Sequence, residues 1–211
     1  MLPGPTIIRQ CSSCSKYISE RTIGSGNTYG ARFWTDGKRD APMLPNRSLL
    51  LKCNHCDNLV WINEQVESGE IGPWEPEADV TLRFPDARPA STPTRQEYAR
   101  FLEAGMSNKK KEFYVRLRLW WAGNDARRES EQSTPLDAFE IENLRAFLAL
   151  LDETEEDDRL MKAEALRELG EFAQAEELLD FKFDEEMTHA VDVIRELIKN
   201  RVATVTEIKG Q

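Results

Sequence analysis

Cys11 and Cys14 form one C-x2-C pair, Cys53 and Cys56 form a second, and the chain has no other cysteine. A C-x2-C turn aims two thiolates at one point. Two such turns brought face to face offer four tetrahedral sulfur ligands, the donor set of closed structural zinc sites. The expected cofactor is therefore one structural Zn2+ held by Cys11, Cys14, Cys53 and Cys56. The competing chemistry is a redox dithiol of the thioredoxin type, where C-x-x-C follows a strand and opens a helix that lowers the thiol pKa. Neither pair here precedes a helical pattern. Four thiolates also leave no open coordination position, so catalysis on the metal is not expected. A zinc centre that oxidation empties stays as an alternative.

Other reactive side chains are sparse. The chain holds two histidines, too few to make a histidine-based dyad or triad a ready reading. His55 lies inside the second knuckle, where it is expected to point outward and donate to solvent or a nearby carbonyl. His189 sits mid-helix, three residues before Asp192. The acidic runs Asp152–Asp158 and Asp184–Glu186 flank helix starts, where the helix dipole and solvation favour carboxylates. Gly24-Ser25-Gly26 matches neither a phosphate-binding loop nor a dinucleotide fingerprint. No enzyme is expected.

The knuckles need strands to carry them. Ile7-Ile8 leads into Cys11 and Tyr17-Ile18 leaves the first knuckle; Ser48–Lys52 runs into Cys53 and Leu59–Ile62 runs out of Cys56. Between them, Ala31–Trp34 reads as a short aromatic strand and Asp36-Gly37 as a hairpin turn. Strand, knuckle, strand resembles rubredoxin-like zinc ribbons over about residues 9–62. Ser15 and Asp57 stand where such knuckles usually carry glycine. The resemblance implies a small β-rich module in which zinc substitutes for a large apolar core.

Residues 63–92 are acidic and proline-bearing, which reads as a connector with one strand over Asp79–Phe84. From residue 93 the periodicity is helical. Thr94 with Glu97 is a capping-box pair opening a helix that ends near Gly105. A second helix is expected over 108–123, a third opened by Pro135, Asp137 and Glu140, a fourth over 155–169, a fifth lined by Phe172, Ala175 and Leu179, and a sixth over 184–201. Trp120 and Trp121 are both expected in the core, and Thr204–Ile208 reads as a last strand or a tail. Ala163, Leu166, Gly170, Phe172 and Ala175 resemble one tetratricopeptide hairpin, without a second copy at the repeat distance.

The expected class is thus α+β: a zinc ribbon at 1–62, a connector at 63–92 and an all-α helical-hairpin bundle of five to six helices at 93–211. The net charge is −10, with +4 on residues 1–60 and −12 on residues 126–211. That balance argues against broad nucleic-acid binding, which draws on counterion release from phosphates. Locally, however, Arg32, Trp34, Lys38, Arg39 and Arg47 interleave basic and aromatic side chains in a way that could stack bases. No run approaches the roughly 18 apolar residues of a membrane span, and the N-terminus lacks an apolar signal region. A cytoplasmic setting is expected, where paired cysteines serve as metal ligands. The functional expectation is a non-enzymatic zinc-binding interaction or adaptor protein with an unidentified protein partner, and nucleic acid as the alternative.

Overall fold

The computed structural model describes residues 1–76, 82–128, 130 and 134–209. Its strands, in chain order, are β1 (Leu2–Gln10), β2 (Tyr17–Ser25), β3 (Arg32–Trp34), β4 (Arg39–Asp40), β5 (Leu50–Lys52), β6 (Leu59–Trp61), β7 (Val66–Ile71), β8 (Arg88–Pro89) and β9 (Glu207–Ile208). The helices are α1 (Arg95–Glu103), α2 (Lys109–Arg128), α3 (Ala138–Leu148), α4 (Glu156–Glu168), α5 (Phe172–Leu179) and α6 (Thr188–Lys199). The class is mixed as expected, with strands concentrated in the N-terminal half and helices after them. No helix among the described residues is long and apolar enough to cross a membrane.

The residues gather into two compact units, Met1–Ala31 with Asp40–Glu97, and Arg32–Arg39 with Tyr98–Gln211. This division differs from the expected 1–62, 63–92 and 93–211. Within the stretch expected as a connector, β7 lies antiparallel against β1 and β8 lies parallel beside β2, giving the order β7-β1-β2-β8. The β7 sequence, Val66-Glu-Ser-Gly-Glu-Ile71, is poor in strand formers. Only an edge strand tolerates it, since charges there discourage further pairing. Gly69 leaves room for the Phe84 ring, whose tip would lie 2.5 Å from a Cβ at that position. Of the strand expected over Asp79–Phe84, positions 79–81 lie outside the described residues, and Leu82 and Arg83 are helical rather than extended. In the first unit β1 and β2 form a long hairpin, from Gln10↔Tyr17 at the knuckle to Leu2↔Ser25, and β5 and β6 form a short one.

The second unit begins with a segment taken from the middle of the expected ribbon. β3 turns at Asp36-Gly37, the Gly37 N–H donating to the Trp34 carbonyl at 2.9 Å, and β3 pairs antiparallel with β9. Thr204–Ile208 is therefore a strand at its end, with a partner nearly the whole chain length away. Helix starts follow the caps read from sequence. Thr94 and Glu97 exchange backbone-to-side-chain bonds at 2.8 and 3.3 Å, and Asp137 and Glu140 complete a second capping box at 2.8 Å each way. Gly105 and Gly170 end α1 and α4 with φ of +77° and +78°, a conformation glycine adopts without strain.

α2 runs five residues past its expected end at Gly123. That glycine is a close-approach residue, since a Cβ there would collide with the Glu140 carboxylate. Two apolar clusters hold the helices together. One joins Trp120, Leu144, Phe147, Leu151 and Ala165, with the Trp120 and Phe147 rings 5.8 Å apart. The other gathers Ala163, Leu166, Ala175, Leu179, Ile194 and Ile198. Trp120 is core as expected. Trp121 is half-buried, its indole N–H donating to the Asp36 carbonyl at 2.9 Å.

Candidate metal centre

Both knuckles are the same turn built twice. The Ser15 N–H donates to the Cys11 carbonyl at 2.8 Å and the Cys11 N–H to the Lys16 carbonyl at 2.9 Å; Asp57 and Asn58 repeat these bonds on Cys53 at 2.8 and 2.9 Å. Ser15 and Asp57 both sit at φ +59°, the left-handed position where these knuckles usually place glycine. A short polar side chain is the tolerable substitute there. Turns of this kind bring successive backbone N–H groups toward the first sulfur, which suits an anionic thiolate.

The four sulfurs converge. Cys11 Sγ lies 4.0 Å from Cys56 Sγ and Cys14 Sγ lies 3.8 Å from Cys53 Sγ, and all four lie within 4.8 Å of one another. The cysteines are free, and these separations are about twice a disulfide bond. A tetrahedral site with metal–sulfur bonds of about 2.3 Å has sulfur–sulfur edges of about 3.8 Å, so the cluster has the dimensions to hold one metal ion. Cys11 and Cys53 are buried, in a core with Ile18, Leu51, Val60 and Ile62, while Cys14 and Cys56 are partly exposed. Burial pushes the Cys53 thiol up to about 12 and the Cys56 thiol upward as well. Cys11 goes the other way: burial raises it, but the Ser13 and Cys14 N–H groups and neighbouring thiols bring it below the ordinary thiol value. The raised thiols resist ionising unless a cation supplies the compensating charge, and a bound divalent ion does so.

Several residues that the spacing of the cysteines did not point to hold the knuckles in place. Gln65 is buried between β6 and β7; its Oε1 accepts from the Ser12 N–H at 2.8 Å and its Nε2 donates to the Trp61 carbonyl at 3.0 Å. It thereby ties the first knuckle to the strand leaving the second. Asn54 is tied to the segment around β8, with Nδ2 donating to the Pro89 carbonyl at 2.6 Å and Oδ1 accepting from Ser91 Oγ at 2.9 Å. His55 donates its Nε2–H to the Tyr17 carbonyl at 3.0 Å, the carbonyl oxygen being able only to accept. A Gln65→Ala change strands the Ser12 N–H at a cost of about 1 kcal/mol, which should appear as roughly fivefold weaker metal retention against a competing chelator. Unchanged retention would show that Gln65 is incidental to the site.

The basic and aromatic residues of the insert are placed differently. Arg32 pairs with Glu207 at 2.9 Å, Lys38 with Asp125 at 2.5 Å, and Arg47 with Glu20 at 2.5 Å. Trp34 is buried, with the Arg32 and Arg128 guanidinium groups 4.5 and 5.2 Å from its ring centre. Arg47 belongs to the first unit and Arg32–Arg39 to the second. His189 bonds the Lys209 carbonyl at 2.8 Å. Set against known proteins, the chain matches no family model, no curated protein and no solved structure.

Proposed function

We propose that the protein is a non-enzymatic, zinc-binding interaction or adaptor protein, with one Zn2+ held by Cys11, Cys14, Cys53 and Cys56 in a ribbon resembling the rubredoxin-like type. One observation carries this reading: four free thiols, within 4.8 Å of one another, on two matching turns. A closed four-sulfur set supplies folding energy and offers substrate no vacant position. When bound, the metal supplies charge for four thiolates and a crosslink between two hairpins. The chain's own residues orient the sulfurs, Gln65 and Asn54 foremost.

A four-sulfur tetrahedron suits zinc or iron, so the test begins with elemental analysis of protein purified without chelator. About one zinc per chain and no visible colour is the expected result; stoichiometric iron with a thiolate charge-transfer band would reassign the centre to electron transfer. Partner capture follows on the zinc-loaded chain. Oligonucleotide binding at about 50 mM salt that weakens steeply as salt rises would move the reading to nucleic acid. The partial exposure of Cys14 and Cys56 favours a second reading, a regulator that releases zinc on oxidation. Thiol titration before and after peroxide, with zinc release followed in parallel, distinguishes it from a purely structural site.

A further inference from the structure

The second unit buries more negative than positive side chains. Asp36 at the β3 turn, with Glu164 and Glu168 on α4, is enclosed alongside Arg128 and Arg167. Contacts account for four of these five. Arg128 Nη2 bonds Asp36 Oδ2, and Arg167 holds Glu164 through Nε at 2.7 Å and Nη2 at 2.5 Å. Glu168 is left with neutral donors: Trp120 Nε1 at 2.9 Å, and Asn124 Nδ2 at 3.0 and 3.2 Å from its two oxygens. Among the described residues no cationic side chain makes an ion pair with it. The same Asn124 nitrogen lies 3.0 Å from Asp36 Oδ2, so two buried carboxyl groups converge on one amide.

The charged groups around this point are spoken for. The β3 turn brings Asp36 and Lys38, and Lys38 is turned to Asp125. From α2 come Asp125, Arg127 and Arg128; Arg127 is held by Glu140 of α3 at 2.6 Å, and Arg128 also reaches Asp125 at 2.6 Å. From α4 come Glu164 and Arg167, and the segment after α6 presents the Val202 and Thr204 carbonyls to Arg167.

We propose that Glu168 is a proton-dependent latch: it holds a proton at neutral pH, and losing that proton destabilises the helical unit and releases the Arg32–Arg39 hairpin from Asn124. A fully enclosed carboxyl that no cation touches favours its neutral form, although each hydrogen bond it accepts favours the charged one. Burial first, then Glu164 and Asp36, raise the Glu168 carboxyl well above the usual range, against the smaller opposing pulls of the Arg167 charge and the Trp120 N–H. Asp36 is raised by burial too, but Arg128 touches it and pulls the other way, which places the proton on Glu168. A carboxyl raised on folding binds its proton more tightly in the native state, so stability falls as pH rises. The contribution is complete below the ordinary carboxylate range and is lost as pH climbs through the raised Glu168 titration.

The test uses the full-length, metal-loaded chain with E168Q and D36N. Infrared spectra at neutral pH should show the carbonyl band of a buried carboxylic acid in the parent and in D36N, but not in E168Q. Urea unfolding followed by far-UV circular dichroism across a rising pH series should show the parent midpoint falling relative to that of E168Q. A band that is missing from the parent, that survives in E168Q, or that D36N alone removes would overturn the proposal, as would parallel midpoint curves. Should a variant fail to fold, the parent decides: its acid band must persist over the pH range in which helicity becomes easier to unfold and vanish where that loss levels off, and no band means no latch.

Discussion

Cys53→Ser should abolish stoichiometric metal binding and unfold the knuckle region, leaving most far-UV helicity in place. Structural zinc contributes apparent free energies of about 10–16 kcal/mol to modules that are unfolded without it, and Cys53 is one of the two sulfurs buried in the core of the first unit. A hydroxyl is a poor replacement for a thiolate and would be buried beside Ile18, Leu51 and Val60. The large loss is confined because the helices of the second unit have apolar clusters containing no cysteine. Elemental analysis, circular dichroism and limited proteolysis of parent and variant read all three consequences. A variant that keeps one metal per chain and the parent's resistance to protease would show that the ion sits elsewhere.

Arg167→Ala should cost about 3–5 kcal/mol, the range for removing one partner of a buried ion pair and leaving the other charge alone. Its side chain and that of Glu164 are fully buried. Beyond that pair it bonds the Val202 carbonyl, and the Thr204 carbonyl at 3.1 Å, so it anchors the stretch that ends in β9. The variant should unfold at lower urea and lose hydrogen-exchange protection at the Thr35 N–H, which bonds the Thr206 carbonyl at 2.9 Å. Replacing both partners, Arg167→Met with Glu164→Gln, should recover much of the loss, because the uncompensated charge is then gone. A single variant as stable as the parent would place water or another counter-charge at Glu164.

The four-cysteine cluster was legible because its signal is local: two residues between cysteines, twice, give the same turn at each pair. Helix starts were legible for the same reason, as Thr94 with Glu97 and Asp137 with Glu140 close bonds within four residues. The periodicity behind Leu160, Ala163, Leu166 and Leu169 likewise predicts one apolar face on α4; Ala163 and Leu166 are buried in one cluster with Leu160 packed against it, while Leu169 packs against the other. Where the reading strayed, two residue types had second uses. Gly123 reads as a helix stop but makes room for Glu140. The Val66–Ile71 stretch reads as connector because an edge strand tolerates glutamate and glycine.

What the amino-acid order alone determined is therefore the chemistry of short range: the four-thiol donor set, the turns that aim it, the caps, and a β-rich half before a helical one. What only the tertiary structure decided is membership at long range. Trp34, Thr35 and Asp36 lie between the two knuckles in sequence but belong to the helical unit, because Asp36 meets Asn124 and Arg128 some ninety residues later. A buried ionisable residue looks like any solvated one in a sequence, since its cost and its compensation both depend on which partners folding brings to it. Glu168 carries no local mark of its role, and neither does Gln65, whose amide reaches the Ser12 N–H across fifty-three positions.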